Sequence, residues 1–202
     1  MKKLFFILSF TIPFLFSCER DSSTLGDEYF NSENYEMAIQ EYNEYLKLRP
    51  KHVKTLYNRG RAYEEMGIYD RALEDFLKVI TIDENNDNAY LSIGKYYYRQ
   101  DNFDKASLYF NKALKLNDQN AMAYYLIGRV NHIRGLFNEA VENYSKAVNI
   151  DHELGEAYLY RGAIKVRQKF RSSPAMISRW PKVLMLKKQM KRSENIANNS
   201  LF

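Results

Sequence analysis

The chain has 202 residues, a formal net charge of +5 at pH 7 and one cysteine, which excludes an intrachain disulfide. The positive charge is unevenly distributed along the sequence. Cys18 to Ile164 carries 18 basic and 24 acidic side chains, a net of −6, whereas Lys165 to Phe202 carries ten basic residues and one acid, Glu194. A nucleic-acid-binding surface would therefore rest on the C-terminal tail alone, and the acidic main part of the chain argues against it.

An apolar segment comes first, at residues 1–17. Two lysines precede a 14-residue apolar stretch, too short for a membrane span of about 20 residues and typical of a signal-peptide core. It ends in Leu15-Phe16-Ser17-Cys18, which resembles the lipobox of bacterial lipoproteins. The resemblance implies that Cys18 carries lipid and becomes the new N-terminus, that residues 18–24 form a tether, and that the protein faces the periplasm or the outer surface of a bacterial envelope. The alternative is an ordinary secretory signal with an accidental cysteine.

Small residues and aromatic residues recur with a period of 34. Five glycines keep this spacing: Gly26, Gly60, Gly94, Gly128 and Gly162. Four alanines follow twelve residues after a glycine: Ala38, Ala72, Ala106 and Ala140. Four aromatics come four residues later: Tyr42, Phe76, Phe110 and Tyr144. A helix-interior glycine costs about 1 kcal/mol relative to alanine, so its regular return indicates a packing role in which small residues admit bulky ones.

This pattern resembles the tetratricopeptide repeat, a 34-residue helical hairpin. The resemblance covers residues 20–168 and implies an all-α fold, a right-handed superhelical solenoid of antiparallel helix pairs with four full repeats and a truncated fifth. First helices are predicted at 20–31, 54–66, 88–100, 122–134 and 156–168. Second helices are predicted at 35–48, 69–82, 103–116 and 137–150.

The sequence contains no motif for catalysis. The three histidines, His52, His132 and His152, fall in different repeats or at turns, and none has a second metal ligand on the same helix face. There is no glycine-rich phosphate loop and no nucleophile motif. The pairs Glu64-Glu65 and Glu74-Asp75 are predicted to be solvated helix faces. We therefore expect no enzyme activity, metal, cofactor or small-molecule substrate.

The resemblance implies a concave groove lined by the first helices. In the family, the residue after the repeat glycine points into this groove, which by position gives a basic row of Arg61, Lys95 and Arg129, interrupted at both ends by Asp27 and Ala163. Positions one turn before are Tyr57, Leu91 and Tyr125, and positions one turn after are Glu64, Tyr98 and His132. We expect the groove to hold an extended peptide whose carboxylates meet the cations and whose apolar side chains meet Tyr98 and Tyr125. The alternative is that the cations are merely solvated.

The chaperone-clamping arrangement of the family is missing, since Ser23 and Asp27 stand at its lysine and asparagine positions in the first repeat. Two functions remain. One is an envelope-anchored adaptor that binds other proteins or peptides, and the other is a structural spacer lipoprotein without a dedicated ligand.

The repeat pattern stops after Gln168, and residues 169–202 form a basic tail. Pro174 and Pro181 cannot continue the expected second helix, because a helix-interior proline costs about 3 kcal/mol. One interpretation is a reading-frame shift, since residues 173–181 permit alanine, phenylalanine and alanine at the missing repeat positions in the frame one nucleotide back. The alternatives are an amphipathic helix on an anionic bilayer or a cap on the open end of the repeats.

Overall fold

A computed structural model of the chain describes residues 22–172. The predicted signal peptide, the lipidation site at Cys18 and the tail beyond residue 172 lie outside the described residues. Within residues 22–172 the structure has nine α-helices and no strand. None of these helices has both the length and the apolar character that crossing a membrane requires.

The helices form antiparallel pairs in two compact units, which are divided after Asp83. The first unit contains α1 (Ser22–Asn31), α2 (Tyr35–Leu48), α3 (Val53–Glu65) and α4 (Tyr69–Ile82). The second contains α5 (Asp87–Arg99), α6 (Phe103–Leu116), α7 (Ala121–Ile133), α8 (Phe137–Ile150) and α9 (Gly155–Ser172). The all-α class and the repeated helix pair are confirmed. The four second helices have the predicted bounds, and α9 continues four residues past the predicted end.

Each of the four complete hairpins turns at one residue with a left-handed backbone. These residues also recur every 34 positions: Glu33 (φ 61°), Gly67 (φ 74°), Asp101 (φ 54°) and Gly135 (φ 76°). Left-handed φ is cheap for glycine and strained for residues with a Cβ, so two repeats use the favoured residue and two do not. The next position in this series, Lys169, lies inside α9, which stays helical through it.

The repeat glycines make room for an aromatic ring of their own hairpin. A Cβ added at Gly26 would lie 2.5 Å from Cε1 of Tyr42, and one at Gly128 would lie 2.7 Å from Cδ1 of Tyr144. Gly60 and Gly94 meet the corresponding phenylalanines equally closely. These rings and the four repeat alanines are buried. The 34-residue period of the glycines therefore reflects a close contact between the first and second helix of each complete hairpin.

One predicted solvated acid is in fact buried. Asp75 is 2% exposed and receives two hydrogen bonds of 2.7 Å from Arg59, whose third nitrogen donates to Asn43 at 2.7 Å. The prediction that Glu74-Asp75 forms a solvated face was wrong for Asp75, because Arg59, sixteen residues earlier on the neighbouring helix, neutralises its carboxylate inside the hairpin. A buried carboxylate is tolerated when a bidentate guanidinium neutralises it.

Candidate functional site

The first helix of the fourth hairpin carries three of the groove positions. Tyr125, Arg129 and His132 are spaced by four and three residues along α7, which places them on one helix face. Tyr98 on α5 and Tyr160 on α9 meet this face. The cluster of Tyr98, Tyr125, Arg129 and Tyr160 is called the arginine site below.

Three tyrosine rings surround the Arg129 guanidinium. Its Cζ lies 4.4 Å from the ring centroid of Tyr160, 5.8 Å from that of Tyr125 and 5.9 Å from that of Tyr98. These distances are within the range of cation–π attraction. One guanidinium nitrogen donates a hydrogen bond of 2.9 Å to the Tyr125 hydroxyl. Arg129 is thus held in a fixed position.

Arg129 has no carboxylate partner among the described residues. Burial disfavours its charge, but the hydrogen bond with Tyr125 and the neighbouring tyrosines outweigh that effect and keep its pKa above the usual value. Burial, then a hydrogen bond to Glu156, raises the pKa of Tyr125 to about 12. The site therefore holds a permanent half-buried cation beside neutral hydroxyls, one of which is hydrogen-bonded to Glu156, and the cation can attract an anionic ligand.

Beneath this cation lies a buried hydroxyl without a partner. Tyr144 is 0% exposed, and its ring lies 6.0 Å from those of Tyr125 and Tyr160. Its hydroxyl has no hydrogen-bond partner among the described residues. Burial, against the opposing charge of Arg129, raises the pKa of Tyr144, so this hydroxyl stays protonated and lacks an acceptor.

In the first unit, the tyrosine at the corresponding repeat position has a hydrogen-bond acceptor for its hydroxyl. Tyr42, three repeats earlier, donates a hydrogen bond of 2.8 Å to Asp27, the residue after the repeat glycine. Asp27 also accepts from Asn58 at 2.8 Å and pairs with Lys54 at 2.7 Å. Burial alone would raise the pKa of Asp27, but these three donors lower it below the usual value. In the fourth hairpin, Arg129 replaces the acid, so the tyrosine loses its acceptor.

His132 borders the arginine site. Its ring lies 5.7 Å from that of Phe137 and 6.1 Å from that of Tyr160. Burial, together with the charges of Arg129 and Arg167, lowers the pKa of His132 below 6.5. The imidazole is therefore neutral at pH 7, and Arg129 is the cation that defines the site.

The remaining predicted groove residues lie elsewhere. Arg61 is exposed, with its guanidinium 4.8 Å from the ring centroid of Phe30, and Tyr57 is half-buried with its ring 5.6 Å from that of Phe76. Both belong to the first unit. Lys95 is half-buried on α5 and makes no ion pair in the part of the chain that the structure describes. The alignment of Arg61, Lys95 and Arg129 in one row stays a prediction.

Tyr160 is the residue of the site that sequence reasoning missed. It stands 31 positions after Arg129, and Asn58 stands 31 positions after Asp27 in the first unit. In both units, the residue two positions before one repeat glycine therefore contacts the residue directly after the preceding repeat glycine. That spacing could have identified Tyr160. Among residues 22–172 no group of histidine, cysteine, aspartate or glutamate side chains could hold a metal ion.

Three profiles of the tetratricopeptide repeat match the chain, at residues 26–67, 53–86 and 91–154, which together span more than half of it. No curated protein matches. The crystal structure of MamA is 26% identical, with a TM-score of 0.65 over 83% of this chain and 97% of that one.

Two further solved structures share the fold. MamA 41-end from Desulfovibrio magneticus RS-1 is 21% identical, with a TM-score of 0.66 over 83% of this chain and 94% of that one. YrrB, described as a TPR protein with an unusual peptide-binding site, is 18% identical, with a TM-score of 0.61 over 75% of this chain and 78% of that one. These two structures show the shared fold, and the three matching profiles show that the chain belongs to the tetratricopeptide-repeat proteins.

Proposed function

We propose that the protein is a non-enzymatic interaction scaffold, anchored by lipid on Cys18 in a bacterial cell envelope, that binds an acidic peptide segment of a partner protein at the arginine site. The observation that carries the proposal is the half-buried Arg129, framed by three tyrosines and without a carboxylate partner among the described residues. A half-buried cation attracts an anionic ligand more strongly than a fully solvated cation does, because the surrounding protein screens the charge less than water.

The surrounding side chains support a carboxylate as the ligand group. A carboxylate accepts two parallel hydrogen bonds from a guanidinium, and Arg129 has further N–H groups besides those that meet the Tyr125 and Tyr98 hydroxyls. Tyrosines are also common at binding hot spots because they offer apolar area with a polar tip.

The lipid anchor rests on the N-terminal sequence. The apolar stretch ends at the only cysteine of the chain, in Leu15-Phe16-Ser17-Cys18. The proposal predicts that a radiolabelled fatty acid is incorporated into the wild-type chain and not into a Cys18→Ala variant. Label in the variant, or none in the wild type, would contradict the anchor without bearing on the arginine site.

Photocrosslinking tests the binding role. A photoreactive phenylalanine analogue at Tyr98 of the full-length protein should form a discrete crosslinked adduct in the envelope. Arg129→Glu should abolish that adduct. Lys115→Glu is the matched control, because it reverses the charge of an exposed lysine on α6 and should leave the adduct intact. An adduct that survives Arg129→Glu contradicts the proposal, and no adduct at all favours the spacer.

A further inference from the structure

Helix α9 is apolar on two opposite faces. One face carries Ala157 and Ile164, which are buried in the core of the second unit. The other carries Leu159, Val166 and Phe170, which are 69%, 54% and 53% exposed. Residues at this spacing form a continuous stripe along a helix. A helix with apolar residues on both sides is normally covered on both sides.

The same position is covered in the two preceding hairpins of this unit. Leu91 on α5 and Tyr125 on α7 correspond to Leu159, and they are only 8% and 3% exposed. Tyr125 is covered by the rings of Tyr144 from its own second helix and Tyr160 from the following hairpin. Leu159 has no such cover from the described residues.

No described residue fills the space, or notch, beside the repeat glycine of α9, Gly162. At Gly26, Gly60, Gly94 and Gly128 an aromatic ring of the second helix occupies the space beside the glycine. At Gly162 a Cβ would meet no atom of residues 22–172 within 4 Å. The chain also does not turn at Lys169, where the four complete hairpins turn. Within the described residues, α9 is a first helix without its second.

The charges beside the stripe indicate what kind of helix fits. Lys165, Arg167 and Lys169 are exposed on α9, and Glu156 is the one acid. The chain's own continuation is a poor match, because it is strongly basic and places Ser178 where the aromatic belongs. A second copy of α9 would bring like charges together. An acidic helix would complement them.

We infer that α9 is half of a hairpin that a partner protein completes. The partner supplies an amphipathic helix with an aromatic side chain for the Gly162 notch, an alanine one turn earlier and a net negative charge. The contact reproduces the first-to-second-helix packing that the other four hairpins make within the chain. This surface is separate from the arginine site and independent of the lipid anchor.

The chain's own second helices provide matched probes. A peptide with the sequence of α2, Tyr35–Leu48, carries Ala38 and Tyr42 at the required spacing and three acids against one base. A peptide with the sequence of α6, Phe103–Leu116, carries Ala106 and Phe110 at the same spacing and one acid against three bases. Fluorescein-labelled versions of both are titrated with the full-length protein and followed by anisotropy.

The α2 peptide should bind at least tenfold more tightly than the α6 peptide, and the difference should shrink at high salt. Gly162→Leu fills the notch and should weaken α2-peptide binding at least tenfold. Because no described side chain lies near Gly162 and leucine favours a helix, this variant should unfold at the same or a higher temperature than the wild type. That readout separates loss of binding from loss of folding.

Three outcomes would overturn the inference. The first is no binding of the α2 peptide at millimolar concentration. The second is equal binding by the wild type and Gly162→Leu, or equal binding of the two peptides. The third is a dimer in sedimentation that Gly162→Leu dissociates, which would make a second copy the occupant.

Discussion

Removing the hydroxyl of Tyr144 should stabilise the protein, although the residue is fully buried in a core of aromatic rings. The hydroxyl has no partner among the described residues, and an unsatisfied buried polar group costs about 1–3 kcal/mol. Tyr144→Phe keeps the ring in the Gly128 notch and removes only the oxygen. We expect the free energy of unfolding to rise by about 1 kcal/mol, which corresponds to about 2–4 °C in Tm for a chain of this size.

Tyr42→Phe is the matched control, because it removes the same atom at the same repeat position. There the hydroxyl donates to Asp27 at 2.8 Å, and a hydrogen bond to a charged group contributes about 1.5–3 kcal/mol. Urea denaturation followed by circular dichroism should therefore move the midpoint up for Tyr144→Phe and down for Tyr42→Phe, with an unchanged slope. Equal destabilisation by both variants would refute the reasoning, since it would mean that Tyr144 has an acceptor after all.

Gly128→Ala should lower the free energy of unfolding by about 1–3 kcal/mol, because the new Cβ would overlap the Tyr144 ring. Gly162→Ala should raise the free energy of unfolding by about 0.5–1 kcal/mol, because alanine favours a helix more than glycine does and no described residue lies within 4 Å of the new Cβ. Equal effects of the two variants in thermal denaturation would contradict the packing role of the repeat glycines. Glu33→Gly should stabilise by about 1 kcal/mol in the same assay by removing left-handed strain, and a lower Tm would disprove the strain. The lowered pKa of His132 means that the unfolded chain binds its proton more readily, so stability should be complete above pH 6.5 and fall as the pH drops below it. In urea titrations, His132→Gln should reduce the loss of unfolding free energy between about pH 7.5 and about pH 5.5. An unchanged pH dependence would contradict the lowered pKa of His132.

The sequence predicted the hairpins well because their packing is periodic. Gly128 and Tyr144 stand sixteen residues apart in one hairpin, and the same pair recurs in three others. The left-handed turn position escaped prediction because glutamate and aspartate occupy it in two repeats. Because Glu33 and Asp101 adopt the left-handed conformation without being glycine, the residue types at this position did not indicate it.

The arginine site was predictable only in part. Arg129, Tyr125 and Tyr98 came from family positions on first helices, but Tyr160 enters from the following hairpin and Tyr144 from beneath. Tyr160 and Tyr144 belong to the site because of the direction in which each ring points, which the spacing of residues in the sequence does not show. The structure was needed to show that the Tyr144 hydroxyl has no acceptor among the described residues, whereas the Tyr42 hydroxyl has one in Asp27.

The most direct test of the central claim is the equilibrium affinity of an extended peptide that alternates glutamate with leucine, compared with the same peptide carrying glutamine. Wild-type protein and Lys115→Glu should both prefer the glutamate peptide by at least tenfold, as a carboxylate meeting a half-buried guanidinium predicts. Arg129→Glu should lose that preference. An undiminished preference in Arg129→Glu, or equal affinity of the wild type for both peptides, would contradict the claim that Arg129 binds acidic partners.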